Sequence, residues 1–275
     1  GPAAMPRNPG ESELLRRITA TEVYERMPPE GAPLEPEQIA AIRAWIAAGA
    51  EGPADEAPEA DPSDHWAFHP PVRPELPDIR GDEAKNPIDR ILAGHHHRLG
   101  LNPLPPAERS LLLRRVSLDL TGLPPTRAEL DAFLADDRPD AWERAVDRLL
   151  DSPQYGERWG RHWMDVWRYT DWYGLGKQLR YSQKHIWHWR DWIIESLNED
   201  KGYDRMVLEM LAGDEIAPTD ADTLRATGYL ARNYYLFNRT TWMDATIEHT
   251  SKAFLGLTMN CAKCHDHKYD PLSQV

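Results

Sequence analysis

Both cysteines of the chain fall in one five-residue stretch, Cys261-Ala262-Lys263-Cys264-His265. The spacing C-x-x-C-H is the attachment signature of haem c. Two thiols three positions apart on a turn can reach the two vinyl groups on one porphyrin edge, and the histidine that follows supplies an axial nitrogen to the iron. On this reading Cys261 and Cys264 hold one covalent haem c and His265 is the proximal ligand. The same residues admit other readings. A thioredoxin-like redox pair requires a βαβ setting that this chain lacks. A structural zinc on Cys261, Cys264, His265 and His267 is hampered by the close His-x-His spacing, since zinc usually takes two well-separated ligand pairs. An incidental pairing in a reduced protein is the third.

A sixth iron ligand has to come from upstream, because only ten residues follow His265. His162, in the stretch Glu157 to Trp163, and His249, on the helix leading into the motif, are the candidates. For each, an ordinary hydrogen-bonded histidine is the competing reading. His267 is too close in sequence for the opposite iron face and could lie near the propionates. His95-His96-His97 reads as a solvated polar run. An iron left five-coordinate would favour ligand chemistry over pure electron transfer. Trp159, Trp163 and Trp167 recur at i, i+4 and i+8, on one helix face. That stripe is either core or the wall of a haem pocket. Trp163, Trp167 and Arg161 are therefore pocket candidates. Arg158, Arg161, Arg168 and Arg190 stand beside these aromatics and call for acidic partners or propionates, with Asp165 and Asp191 as the partners at hand.

The elements that must position these groups read as helices. Residues 11–19, with Leu14, Leu15 and Ile18, and 36–48, with Ile39, Ile42, Trp45 and Ile46, have helical spacing. Gly49 sits at a C-cap position. Residues 51–64 are acidic, Pro-rich and without large apolar side chains, which marks a linker. The prolines of 65–83 favour extended chain. From Asn86 onward helical patterns follow one another. Helices are expected near 87–92, 106–120, 126–134, 140–150, 155–169, 187–197, 203–211 and 241–256. Thr126 with Glu129 forms a capping box. Strand alternation is scarce, so the expected class is mainly α: an irregular helical domain with long Pro-rich loops, preceded by a shorter helical segment.

Composition narrows the classes further. The 275 residues carry 32 basic and 45 acidic side chains, a net charge of −13. That balance argues against a phosphate-binding surface, so no nucleic-acid partner is expected. No apolar run approaches the ~20 residues of a transmembrane helix. Gly1 to Gly10 lacks the basic and apolar regions of a signal peptide. Haem attachment to C-x-x-C-H takes place outside the cytoplasm, so a periplasmic or otherwise exported protein is expected all the same.

Several stretches resemble a known family: HWAFHPPVRP (65–74), RRVSLDLTGLPPT (114–126), YGERWGRHWMDVWRY (155–169), WRDWIIESLNEDKGYD (189–204), LAGD (211–214) and AFLGLTMNCAKCHDHKYDP (253–271). They resemble the planctomycete cytochrome domain PSCyt2, or DUF1549. ESELLRRIT, RMPPEG and IAAIRAWIAAGA, within 11–50, resemble the end of the planctomycete cytochrome c domain PSCyt1. The resemblance implies exported multidomain haem c proteins in which a PSD1 (DUF1553) domain commonly follows. It also implies that Met27 matches an axial methionine. The C-x-x-C-H that should precede Met27 is missing, as is a PSD1 region. Met27 is then either an orphan, the favoured reading, or a further distal-ligand candidate for the haem on Cys261 and Cys264. The expected organisation is a cytochrome c-like segment over 1–50, a linker over 51–64 and a haem c domain over 65–275.

The expected role is an exported c-type cytochrome domain that passes electrons to or from a partner oxidoreductase. A haem-dependent enzyme, peroxidase-like or sugar-oxidising, would need a general acid or base such as His162 with Asp165 or Arg161. A non-haem interaction domain with a structural metal is the remaining alternative.

Overall fold

The computed structural model describes residues 3–22, 25–29, 31–52, 61–79, 86–171 and 184–274. Part of the expected linker, residues 53–60, lies outside them. The chain divides into two units, Gly1–Asp64 and His65–Val275. Among the described residues the regular structure is helical, with no strand, as the scarcity of alternating patterns implies.

The N-terminal unit packs α1 (Glu13–Thr19) on α2 (Pro36–Ala48). Leu15, Ile18 and Ile46 form its core, and Met27 packs against them. A capping box between Glu35 and Gln38 starts α2, and Gly49 ends it at φ +126°, a conformation that suits glycine.

The larger unit opens with a short 3-10 turn, Trp66–Phe68, and a proline-rich stretch without regular structure. Then come α3 (Pro87–Leu99), α4 (Arg109–Thr121), α5 (Arg127–Leu134), α6 (Ala141–Leu150) and α7 (Pro153–Val166). Thr126 and Glu129 form the capping box that the sequence foretells at the start of α5. α4 packs on α5, α6 and α7, and Leu113, Phe133, Ala141 and Ala145 make a small core there.

The main core lies further along, among α8 (Trp187–Asn198), α9 (Tyr203–Ile216), α10 (Ala221–Ala226) and α11 (Gly228–Ala231). It gathers Trp167, Trp189, Trp192, Ile193, Met206, Met210 and Tyr229. α7 lies close against α8 because Gly156 and Gly160 face it without side chains. A Cβ on Gly156 would stand 2.4 Å from the Ile194 carbonyl oxygen. The Gly156 N–H donates to Asn198 Oδ1 at 2.8 Å, and the Asn198 amide donates back to the Pro153 carbonyl at 3.2 Å.

The last helix, α12 (Arg239–Thr250), starts with Asn238 accepting from the Thr241 N–H. It runs into a π turn, Ser251–Leu255, and stops at Gly256, whose φ of +68° turns the chain. The expected helix over 241–256 is thus a 12-residue α-helix followed by a wider turn. No helix among the described residues is long and apolar enough to cross a membrane.

Candidate functional site

The turn after Gly256 delivers the two cysteines. Cys261–Lys263 is one 3-10 turn, and the Cys264 and His265 N–H groups both point back to the Cys261 carbonyl, at 3.2 and 3.4 Å. Neither cysteine is in a disulfide; Cys261 is exposed and Cys264 half-buried. His265 is exposed, and its Nδ1 stands 2.7 Å from the Asp266 carbonyl oxygen. A carbonyl only accepts, so Nδ1 carries the ring proton and Nε2 keeps its lone pair. No group among the described residues engages Nε2. Fixing one imidazole nitrogen on a backbone carbonyl is the usual way a metal-ligating histidine is oriented.

His267 is arranged the opposite way. Its Nδ1 accepts from the Tyr269 and Asp270 N–H groups, at 3.2 and 2.8 Å. The ring proton is therefore on Nε2, which donates to Thr258 Oγ1 at 2.8 Å. Its own N–H donates to the Leu272 carbonyl at 2.8 Å. Both ring nitrogens are occupied in closing the loop over 258–272. His267 thus stitches the loop, a role that no spacing in the sequence signals, and it has no nitrogen to spare for a metal. Among the described residues no group of three or more His, Cys, Asp or Glu is arranged to hold a metal ion.

The Cys261–Lys263 turn leans on α12. Lys263 Nζ donates to Asp244 Oδ2 at 2.5 Å, and this contact raises the lysine pKa above its ordinary value. A cleft of about 720 Å3 lies between α12 and the loop. Asp244, Ile247 and Glu248 line it on one side, Met259, Ala262, Lys263 and Leu272 on the other. Its volume is within the range of small-molecule and cofactor pockets. The hydrogen bond from Lys252 holds the Glu248 carboxyl below its usual range. A haem c asks for two thiols on one turn followed by a histidine with a free nitrogen, and Cys261, Cys264 and His265 match that residue set; none of the three lines the cleft, half of whose lining residues are polar or charged.

The other sequence candidates stand elsewhere. Trp167 is 2% exposed and stacks on Trp163 with ring centroids 5.0 Å apart, inside the main core; Trp163 also meets Tyr203 at 5.2 Å. Arg161 and His162 are exposed on α7, and the His162 ring meets the edge of Trp159 at 5.5 Å. His249 is half-buried, with Nδ1 enclosed and unpartnered among the described residues. Burial, then the nearby Arg168 charge, lowers its pKa. Met27 packs within the N-terminal unit. Neither His162 nor His249 lines the cleft between α12 and the loop, and nor do Cys261, Cys264 and His265. Arg190 takes Asp191 at 2.9 Å and Asp171 at 3.7 Å, whereas Asp165 enters no ion pair among the described residues.

Neither the curated proteins nor the solved structures hold a match to this chain. Residues 87–275, well over half of the sequence and the whole of the site, match the family model PSCyt2, described as a protein of unknown function (DUF1549). The chain belongs to the PSCyt2 (DUF1549) family.

Proposed function

We propose that this protein is an exported c-type cytochrome domain that carries one covalent haem c and exchanges single electrons with a partner oxidoreductase. The observation that carries the reading is the attachment turn itself. Cys261 opens one 3-10 turn and Cys264 caps it, neither in a disulfide, and the next residue is a histidine whose Nε2 is unengaged while its Nδ1 is held by a carbonyl. Cys261 and Cys264 would hold the haem by thioether bonds and His265 would supply an axial nitrogen. The bound group would supply one-electron chemistry, its potential set by the axial ligands and by burial. The chain's own contribution is orientation. Asp266 fixes the His265 ring, His267 keeps the loop closed, and the Asp244–Lys263 pair ties the turn to α12.

Haem attachment of this kind occurs on the oxidising side of bacterial membranes, which supports export. The enzyme reading would need an acid or base beside the iron, such as His162 with Asp165 or Arg161.

The test is the intact mass and pyridine haemochrome spectrum of the protein exported in a host with cytochrome c maturation machinery. One covalent haem per chain is expected, and it should be lost in the Cys261→Ser/Cys264→Ser variant. An apo mass for the wild type under those conditions would overturn the reading.

A further inference from the structure

The C-terminal end of α5 and the helix that follows it enclose a second cleft, and arginines rim it. Its volume is about 620 Å3, within the range of small-molecule pockets. Phe133, Ala141 and Ala145, buried residues of the small core, make its apolar floor. Arg138, Arg144 and Arg148 line it, against one carboxylate, Asp136. On α6, Ala141, Arg144, Ala145 and Arg148 share one face by their spacing. The helix thus sets two cations beside small side chains that leave the space between them open.

Three features of the cleft call for an anion. Its one carboxylate is already committed, since Arg138 Nε donates to Asp136 at 2.7 Å and holds that carboxyl down at about 2. The other two cations are not neutralised in the same way. Arg144 enters no ion pair or side-chain hydrogen bond among the described residues, and Arg148 reaches Glu129 only at 4.0 Å. Like charges at i and i+4 disfavour a helix, so this pair gains from an anion between them. The floor, finally, is fixed in advance. The Arg109 guanidinium lies 4.6 Å over the Phe133 ring and donates to the Phe133 and Asp136 carbonyls at 2.7 and 2.8 Å. The corner that carries Phe133, Asp136 and Arg138 needs no ordering when a ligand arrives.

We propose that this cleft binds a small organic oxyanion, with its carboxylate, sulfate or phosphate group on the arginine rim and its carbon body on the Phe133 floor. Guanidinium groups take such head groups through parallel N–H donors, and the apolar floor favours an anion with a carbon body over a bare ion. The net charge of −13 argues against an extended basic surface, but a single cleft does not need one. Asp140, Glu143 and Asp147 stand outside the lining on the same stretch of chain and disfavour a long polyanion such as a nucleic acid. None of Cys261, Cys264 and His265 lines the cleft, so the proposal stands apart from the haem reading.

The experiment is calorimetric titration of the full chain at low salt with phenyl phosphate, phenyl sulfate and benzoate. Inorganic phosphate and neutral benzyl alcohol are the comparison probes. The variants are Arg144→Gln, Arg148→Gln, Ala132→Leu and Arg127→Gln, with circular dichroism to check folding. Ala132 lines the cleft and is exposed, so leucine there narrows the space and keeps every arginine. Arg127, paired with Asp131 at 2.8 Å, lies outside the lining. At least one aryl oxyanion should bind, more tightly than inorganic phosphate, and benzyl alcohol should not. Each of Arg144→Gln and Arg148→Gln should weaken it on the order of tenfold. Ala132→Leu should weaken it too, and Arg127→Gln should match the wild type. The head group that binds tightest names the oxyanion. Failure of all three aryl oxyanions to bind overturns the proposal, as does binding that both arginine variants leave unmoved or that Arg127→Gln weakens equally. Inorganic phosphate binding as tightly as phenyl phosphate, or benzyl alcohol as tightly as the anions, overturns it as well.

Discussion

Two histidines two positions apart carry opposite assignments, and the hydrogen bonds say which is which. His265 gives its Nδ1 proton to a carbonyl and leaves Nε2 free, whereas His267 accepts two amides on Nδ1 and donates from Nε2. Replacing His267 by Ala should leave the Tyr269 and Asp270 N–H groups without an acceptor, at a local cost of about 1–3 kcal/mol. Amide hydrogen exchange at these two positions should accelerate by roughly one to two orders of magnitude on that scale. Unchanged exchange would show that the loop is held by other means. The spacing H-x-H could not separate the two roles, because His267 is defined by a turn downstream of it and by Thr258 upstream. The C-x-x-C-H spacing of Cys261, Cys264 and His265, by contrast, is legible in the sequence, because it lies within five consecutive residues.

At the scale of elements, features that depend on near neighbours are legible in the sequence. The Thr126–Glu129 box and the Gly49 stop depend on neighbours within one turn and appear as the sequence implies. The stripe Trp159, Trp163, Trp167 shows where local reading runs out. Period-four spacing says that side chains share a face but not what covers it. In the structure the stripe runs from half-exposed Trp159 to buried Trp167, which caps α7. The glycines interleaved with it carry more of the packing. Gly156→Ala would drive a Cβ to 2.4 Å from a backbone carbonyl on α8, a contact that cannot yield without separating the helices. Alanine's better helix propensity, worth ~1 kcal/mol, offsets little of this. A net loss of about 2–3 kcal/mol is expected in denaturant unfolding. A variant as stable as the wild type would mean that α7 and α8 slide apart freely. On α9, Glu209 is 3% exposed and takes Arg205 at 2.7 Å and Lys201 at 3.0 Å. Burial alone would raise its pKa, but the two hydrogen-bonded cations together hold it below the ordinary 4.5. A depressed carboxyl stabilises the fold above its unfolded value and loses that contribution as the pH falls through the folded one. Glu209→Gln should therefore cost about 1–3 kcal/mol at neutral pH. That is less than for a fully enclosed pair, because Arg205 and Lys201 keep access to water. The difference from wild type should shrink as the pH drops below 4.5, and a gap in Tm that stays constant down to pH 3 would contradict this account.

At the scale of the whole molecule, the cores sort by unit. Leu15, Ile18 and Ile46 belong to Gly1–Asp64, and both remaining clusters draw all of their residues from His65–Val275. A domain with its own core is expected to fold by itself. The Cys261–Lys263 turn, the loop that His267 closes and the helix that Lys263 reaches all lie within the larger unit, so this part of the chain takes its shape from the larger unit's own residues. A protein beginning at His65 should keep its far-ultraviolet helical signal, unfold in one cooperative transition and, under the haem reading, load as completely as the full chain. The smaller unit has a cheaper handle of its own. Hydrogen bonds from Arg16 and Arg17 bring the Glu13 carboxyl from 4.5 to about 2, so α1 keeps this support above pH 4.5 and loses it on the way down to about 2. Acid titration of the intact protein should then loosen Gly1–Asp64 in that window, and Glu13→Gln should remove the pH dependence there while leaving the transition of the larger unit in place. If the shortened protein instead melts without cooperativity, or if Glu13→Gln shifts the transition of the larger unit, the two units share a stability that their separate cores do not reveal.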